Sequence, residues 1–299
     1  MEIKPAIAEY LVEIELKRYT QKTIRSYSTN LHGFERFCAS LNVTDLEGIT
    51  QSVVKRYAAY YVRLGRKGTY INGLLKTVKS FLQWAYTEGY GGYSTKGTFP
   101  WVKAEKPHIV AFKPEQVRRM MANCGGNDFL ALRDKAILTT LFDAGVRCWE
   151  LCCIKPEDVH DDFILITSGK NHKMRSVPVT PVMRKALMRY ERSRAGKFAL
   201  KSTDEYYFLS CHGRQLTNAA VEHIVKRRAE GIDPDGVRIS PHTCRHFFAQ
   251  QQVKMGTDIY TISRLLGHES IQITQTYLNS LRERDIVEMN KNRSVLLSL

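Results

Sequence analysis

No apolar run in this chain approaches the roughly 20 residues needed to cross a bilayer, so a membrane-spanning helix is not expected. The first residues, MEIKPAIAEYLVEIEL, set acids among the apolar positions, which is unlike a signal peptide. There is no Cys-x-x-Cys pair either. The seven cysteines are an odd number and sit inside apolar periodic stretches, which fits buried thiols in a reducing cytosol better than a disulfide framework. Cys148, Cys152 and Cys153, even with Cys211-His212 added, match no paired metal-site spacing. No internal repeat is present. Acids are scarce: 45 Lys and Arg stand against 30 Asp and Glu, for a net charge of +15 and a pI near 9.5. That imbalance favours a polyanionic partner. Residues 1–100 hold 14 basic and 8 acidic residues and the remainder 31 and 22, so a nucleic acid would touch both halves. At 299 residues there is room for two domains, each with its own core.

Apolar residues at intervals of three and four predict four helices within residues 5–90. The first runs from about Pro5 to Lys17 and the second from about Thr23 to Leu41. Thr50 caps the third, and Gly68-Thr69 opens the fourth, whose inward stripe is Ile71, Leu74, Leu75, Val78, Phe81, Leu82 and Ala85. Aromatic residues in such stripes read as core. The polar faces carry Lys17, Lys22, Arg25, Lys55, Arg63, Arg66, Lys67, Lys76 and Lys79, a recurrent positive set suited to phosphate contacts. Gly89, Gly91, Gly92, Ser94, Gly97 and Pro100, followed by Lys103 and Lys106, then break all periodicity and read as a basic interdomain linker.

Beyond the linker, a helix is expected from Lys113-Pro114-Glu115 to Met121, and a buried one from Asp128 to Asp143, ended by Gly145. Residues 162–167 and 174–180 alternate as strands of a hairpin joined through Ser168-Gly169-Lys170-Asn171-His172-Lys173, and Tyr206–Leu209 reads as a third short strand. Helices follow at about 182–194, 217–230, 241–255, 258–266 and 270–279, with a charged one over 281–293. The fold class is therefore mainly α with a small antiparallel β-sheet.

Residues 240–279 hold the densest chemistry. Ser240 caps a helix and Pro241 suits its first position, which puts His242 and Arg245 in the first turns, on one face. Gly256 and Gly267 close two successive helices, so that His268 lies just past a helix end and Tyr277 on a short helix after it. Taken singly, each of these reads as a capping, packing or solvated residue. Together with Arg147 after a Gly turn and Lys170 on the basic hairpin, they suit a phosphodiester. Two guanidinium forks grip its non-bridging oxygens. Histidines donate to those oxygens or accept a proton, a lysine can protonate a leaving alkoxide, and a tyrosine amid positive charge can act as nucleophile.

Arg147-Cys148-Trp149-Glu150-Leu151, Gly169-Lys170, His242-Thr243-Cys244-Arg245-His246 and Leu266-Gly267-His268-Glu269-Ser270, followed by Tyr277, resemble in order and spacing the signature of the tyrosine recombinases, the phage-integrase family. The match covers about residues 113–280. The first domain resembles the family's core-binding domain through Thr23-Ile24-Arg25-Ser26-Tyr27 and Phe81-Leu82-Gln83-Trp84-Ala85. The resemblance implies a SAM-like helical core-binding domain over residues 1–90, a linker over 91–112 and an α+β catalytic domain with a C-terminal helix over 113–299.

It also implies residue roles. Tyr277 attacks the scissile phosphate to give a 3′-phosphotyrosyl enzyme and a free 5′-hydroxyl. Arg147 and Arg245 clamp the phosphate, His268 adds a hydrogen bond, Lys170 is the general acid, and His242 assists proton removal from Tyr277. Glu150 orients its neighbours, and His246 is left without a role. Lys22, Arg25, Arg66, Lys67, Lys76, Lys79, Lys103, Lys173 and Arg175 are the expected DNA contacts. Neither ATP nor a metal is required, so no cofactor is expected. The partner implied is double-stranded DNA, bound by a homotetramer on two sites that exchange strands through a Holliday junction. The protein would be a monomer or dimer off DNA, with an accessory DNA-bending protein as a further partner and a cytoplasmic, nucleoid-associated location.

The chain departs from the family at Cys244, at Thr98-Phe99-Pro100 and at Phe247-Phe248, none of which removes a catalytic group. These departures tilt the expectation towards integration and excision of a mobile element, with Xer-type dimer resolution as the alternative. A type IB topoisomerase and a non-catalytic DNA-binding regulator are the rival readings.

Overall fold

The computed structural model describes residues 1–97, 99–105, 110–167 and 174–278. The chain divides into two compact units, Met1–Pro107 and His108–Leu299. Among the described residues no helix is long and apolar enough to cross a membrane.

The first unit contains helices α1 (Ile3–Leu16), α2 (Gln21–Ala39), α3 (Gln51–Arg63) and α4 (Gly68–Thr87). Thr20 and Thr50 start α2 and α3 by accepting the amide protons of Thr23 and Val53, which satisfies donors that the first helical turn leaves open. The stripe expected along α4 is the buried one, and it meets Leu31, Phe34 and Cys38 of α2 and Val53, Val54 and Tyr57 of α3. Tyr57 packs edge-on against Phe34, Phe37 and Tyr61 at 5.0–5.2 Å, so these rings are core.

The glycine-rich stretch after α4 lies against this unit as far as Val102. Asn72 holds Val102 by both backbone groups, at 2.8 and 2.9 Å, and Phe99 is buried between Tyr93 and Trp101. Gly92 comes so close to the Leu46 carbonyl that a Cβ there would sit 2.9 Å from it. The glycines thus permit a close backbone approach as well as a break in periodicity.

The second unit holds α5 (Pro114–Ala122), α6 (Phe129–Ala144), α7 (Cys148–Cys153), a 3₁₀ turn at Pro156–Asp158, strands β1 (Phe163–Ile166) and β2 (Arg175–Pro178), α8 (Pro181–Lys197), α9 (Asn218–Arg228), α10 (Pro241–Lys254), α11 (Ile259–Leu266) and α12 (Ile271–Leu278). The strands form an antiparallel pair from Phe163↔Pro178 to Ile166↔Arg175. Ile164, Ile166 and Val177 turn into the core. Helix α6 is buried almost all round, as expected of its near-continuous apolar sequence. Within it Asp134, fully buried, accepts hydrogen bonds from Arg133, Arg227 and Arg228 and so ties α9 to α6.

Tyr206–Leu209 is not a strand; an isolated Leu209↔Gln215 bridge is all that pairs there. Its backbone groups go elsewhere. Tyr207 N donates to Ile154 O, the Tyr190 hydroxyl donates to Tyr207 O, and Leu209 N donates back to that hydroxyl. A buried tyrosine takes the place of a neighbouring strand. The hairpin tip 168–173 and the helix expected over 281–293 lie outside the described residues.

Candidate active site

Gly145 ends α6 in the left-handed conformation, at φ 60°, and the chain turns so that Arg147 becomes the N-cap of α7. Glu150, in the first turn of α7, reaches back to the Arg147 amide at 2.8 Å. Its carboxylate is buried and also accepts from Arg147 Nη1 at 2.7 Å and from Arg175 Nη1 and Nη2 at 2.9 and 2.6 Å. Burial alone would push this carboxyl up; the hydrogen bonds and charge of Arg175, then those of Arg147, win and hold it down to about 2.

Arg175, expected among the DNA contacts, has internal partners in the structure. Its side chain is 10% exposed and spends its fork on Glu150 and its Nε on Leu265 O, at 2.7 Å. So engaged, the Arg175 guanidinium supports Glu150 and the end of α11. The alternation along β2 carries the signal: Arg175 lies two residues from inward-facing Val177 and shares its face.

Helix α10 begins as expected, with Ser240 accepting the Thr243 amide and Pro241 in the first turn. Arg245 is 2% exposed. Its Nη1 donates to Gly145 O at 2.8 Å and its Nη2 to Leu266 O at 2.6 Å. Burial, then the neighbouring Arg147, lowers its proton affinity to about 10, which leaves it charged near neutrality. Arg147 Nη2 donates to Gly267 O at 2.9 Å. Arg175, Arg245 and Arg147 therefore take three successive carbonyls, Leu265, Leu266 and Gly267, where α11 ends. Helix C-termini leave such acceptors open and carry negative potential, so three cations are well placed there. Gly267 adopts φ +63°, and a Cβ on it would lie 2.9 Å from Arg175 Nη1. Only glycine fits both the turn and the arginine.

His268 follows directly. Its Nδ1 pairs with Thr274 Oγ1 at 2.8 Å, and its ring lies parallel to that of Tyr277, 6.2 Å away. Burial and the charges of Arg245, Arg147 and Arg175 push its proton affinity down to about 3, so it is neutral. Tyr277 is 3% exposed and sits against Phe248, Ala249, Val253, Ile262 and Leu266. Burial raises its hydroxyl above the ordinary value of 10, against the pull of Arg245 and Arg147. His242 is exposed, though partial shielding of its ring and the Arg245 and Arg147 charges lower its proton affinity. His246, left without a role by the family resemblance, is within reach of the Tyr277 hydroxyl, with Nδ1 at 3.0 Å.

An open groove of about 1580 Å³ runs past these groups, lined by Arg147, Trp149, Glu150, Arg175, His268 and Ile273 among others. The site can bind an anion at Arg147 and Arg245 and present a tyrosine hydroxyl amid neutral histidines. Lys170 and Lys173 lie outside the described residues. Lys22, Arg25, Arg66, Lys67, Lys76 and Lys103 are exposed on the first unit, and Lys79 lies 5.5 Å from the Phe99 ring and 5.6 Å from that of Trp101. Cys148 and Cys152 donate to the backbone and side-chain oxygens of Asn218, so both thiols are engaged.

A helical unit ahead of an α+β unit with this tyrosine, histidine and arginine cluster defines a class of DNA strand-transfer enzymes, and sequence comparison agrees. Residues 111–284 match the Phage integrase family and residues 7–89 match the Phage integrase N-terminal SAM-like domain. The chain belongs to the phage integrase family, the tyrosine recombinases, which break and rejoin DNA. It is 27% identical over 271 residues to tyrosine recombinase XerD of Halalkalibacterium halodurans, covering 89% of this chain and 90% of that one. The Tn1549 transposon integrase in complex with a circular intermediate DNA has the same fold, with a TM-score of 0.77 at 16% identity over 97% of this chain and 99% of that one. A lambda integrase tetramer bound to a Holliday junction gives 0.72 at 17% identity over 93% and 77%.

Proposed function

We propose that this chain is a site-specific recombinase that cuts and rejoins duplex DNA through a 3′-phosphotyrosine at Tyr277, with no cofactor. The convergence of Arg147, Arg245, His268 and Tyr277 around the end of α11 carries this reading. The two arginines bind the non-bridging oxygens of the scissile phosphate and offset the charge that builds up on them. Neutral His268 donates to the same oxygens. Lys170 protonates the 5′ leaving oxygen and His242 assists the proton transfer. Glu150 orients Arg147. Residues 1–90 act as a core-binding domain, 91–112 as a linker and 113–299 as the catalytic domain. The duplex is held by phosphate contacts from Lys22, Arg25, Arg66, Lys67, Lys76, Lys79, Lys103 and Lys173.

By analogy with the lambda integrase tetramer on a Holliday junction, four copies act on two sites in the cytoplasm, at the nucleoid. Integration and excision of a mobile element fits the departures at Cys244, Phe247 and Phe248. Dimer resolution is the second reading, favoured by the end-to-end likeness to XerD.

Incubation with a nicked suicide duplex, selected by binding from a random-sequence pool, tests the enzymatic claim. A covalent protein–DNA adduct formed by the wild type and lost in Tyr277→Phe supports it. No adduct at all means a DNA-binding protein without this chemistry, and relaxation of supercoils by a monomer without synapsis means a topoisomerase.

A further inference from the structure

His242 and His246 are one helical turn apart on α10, with ring centroids 4.2 Å apart at 67°. The second of them meets Tyr277: Nδ1 lies 3.0 Å from the phenol oxygen, and the rings are 5.5 Å apart. We propose that His246 accepts the Tyr277 hydroxyl proton as the phenol oxygen attacks the scissile phosphorus, the task first assigned to His242. This rests on the reading of Tyr277 as nucleophile.

The step balances. The Oη–P bond forms and the P–O5′ bond breaks. The phenol proton passes to His246 Nδ1, and the 5′ oxygen takes one from the acid assigned to Lys170. In rejoining, the 5′-hydroxyl gives its proton back to the group assigned to Lys170 as it attacks the phosphotyrosine, and His246 returns the other proton to the departing phenolate.

The surroundings fit the role. His246 faces His242 and Arg245 from its own helix and Tyr277 from α12, with His268 stacked on Tyr277 and Arg147 beside Arg245. Burial, then His242 and Arg245, lowers its proton affinity to about 4, so its ring nitrogen is free to accept at any pH above that. With the phenol raised and the imidazole lowered from their ordinary values, full transfer in the DNA-free site is disfavoured. The resting pair is thus a neutral hydrogen bond that orients the nucleophile. The charge that develops at phosphorus stabilises the imidazolium, so transfer accompanies attack. Phe248, two residues on from His246, occupies the space a Cβ on Gly145 would need and packs with Tyr277, which is almost wholly buried.

The test is single-turnover cleavage of the same nicked duplex by the full chain as a function of pH, for wild type, His246→Gln, His246→Asn and His242→Gln, with thermal unfolding and DNA affinity as controls on folding. A glutamine can hold the hydroxyl but cannot take its proton. The wild-type rate should be nearly level from about pH 6 to 8. His246→Gln and His246→Asn should be about 10²- to 10⁴-fold slower at neutral pH and gain about tenfold per pH unit, because attack then waits for the free phenolate. His242→Gln should lose rate without gaining that slope. A His246→Gln rate near that of the wild type, or a slower one with an unchanged pH profile, overturns the proposal, as does a slope that appears only in His242→Gln. Absence of an adduct in the wild type removes Tyr277 as nucleophile and this inference with it. An adduct at wild-type rate in both His246 variants removes this inference alone.

Discussion

Glu150 and Arg175 meet across 25 residues of chain in a two-pronged ion pair, Nη1 to Oε1 at 2.9 Å and Nη2 to Oε2 at 2.6 Å. The same arginine donates from Nε to the Leu265 carbonyl, so the acid of α7 fixes, through β2, the end of α11 from which His268 departs. Arg147 and the end of α11 are held in place by a buried charge pair. A pair broken on one side costs far more than it contributes when intact, because the partner is left buried and charged.

Arg175→Gln should therefore destabilise the protein by about 3–5 kcal/mol, measured by chemical denaturation. Single-turnover cleavage should fall with it, while the salt dependence of DNA binding stays that of the wild type. A phosphate contact would show the opposite pattern, with unchanged stability and a shallower salt slope.

Acid should act on the same pair. Glu150 is held at about 2 in the fold against an ordinary 4.5, so its contribution is complete above the higher value and fades as pH falls towards the lower. The difference is worth about 3 kcal/mol. Unfolding free energy of the wild type should drop over that acid window. In Glu150→Gln that portion of the drop should be missing and stability at neutral pH correspondingly lower.

Gly267→Ala should cost about 1–2 kcal/mol from the left-handed backbone alone. The new Cβ would meet Arg175 Nη1 at 2.9 Å, and that guanidinium is pinned by Glu150 and Leu265 and has nowhere to yield. Cleavage should therefore drop more than stability does, as read by single-turnover rate beside thermal unfolding.

Lys76→Ala with Lys79→Ala tests the first unit. If both neutralise phosphates, affinity should fall for every DNA sequence alike, and the slope of log affinity against log salt should lessen by about 2. An unchanged slope would leave these lysines as a solvated face.

Local signals accounted for much of what the chain displays. Ser240-Pro241 and Gly267 mark helix ends by capping chemistry that needs no tertiary partner, and they set His242 and Arg245 in the first turns of α10 and His268 just past the end of α11. Relations between elements were harder to read. Arg175 follows Lys170 and Lys173 in a basic run that reads as phosphate contacts, and its pairing with Glu150 and Leu265 joins elements far apart in the chain. The His246–Tyr277 pair depends on how α10 and α12 cross, which no spacing encodes. Tyr206–Leu209 had the apolar aromatic look of a strand, but its hydrogen bonds go to the buried hydroxyl of Tyr190. Phe247 and Phe248, odd in the motif, are packing residues, the first edge-on to Phe142 at 5.6 Å and the second against Gly145.

The measurement closest to the central claim is peptide mapping of the trapped adduct by mass spectrometry. A DNA remnant attached through a 3′-phosphate should be found on the peptide bearing Tyr277. Arg147→Lys and Arg245→Lys should lower the yield of that species about 10²- to 10³-fold, as expected for loss of a positioned donor to the transition state. A remnant on any other residue, or a 5′-phosphate linkage, would contradict it.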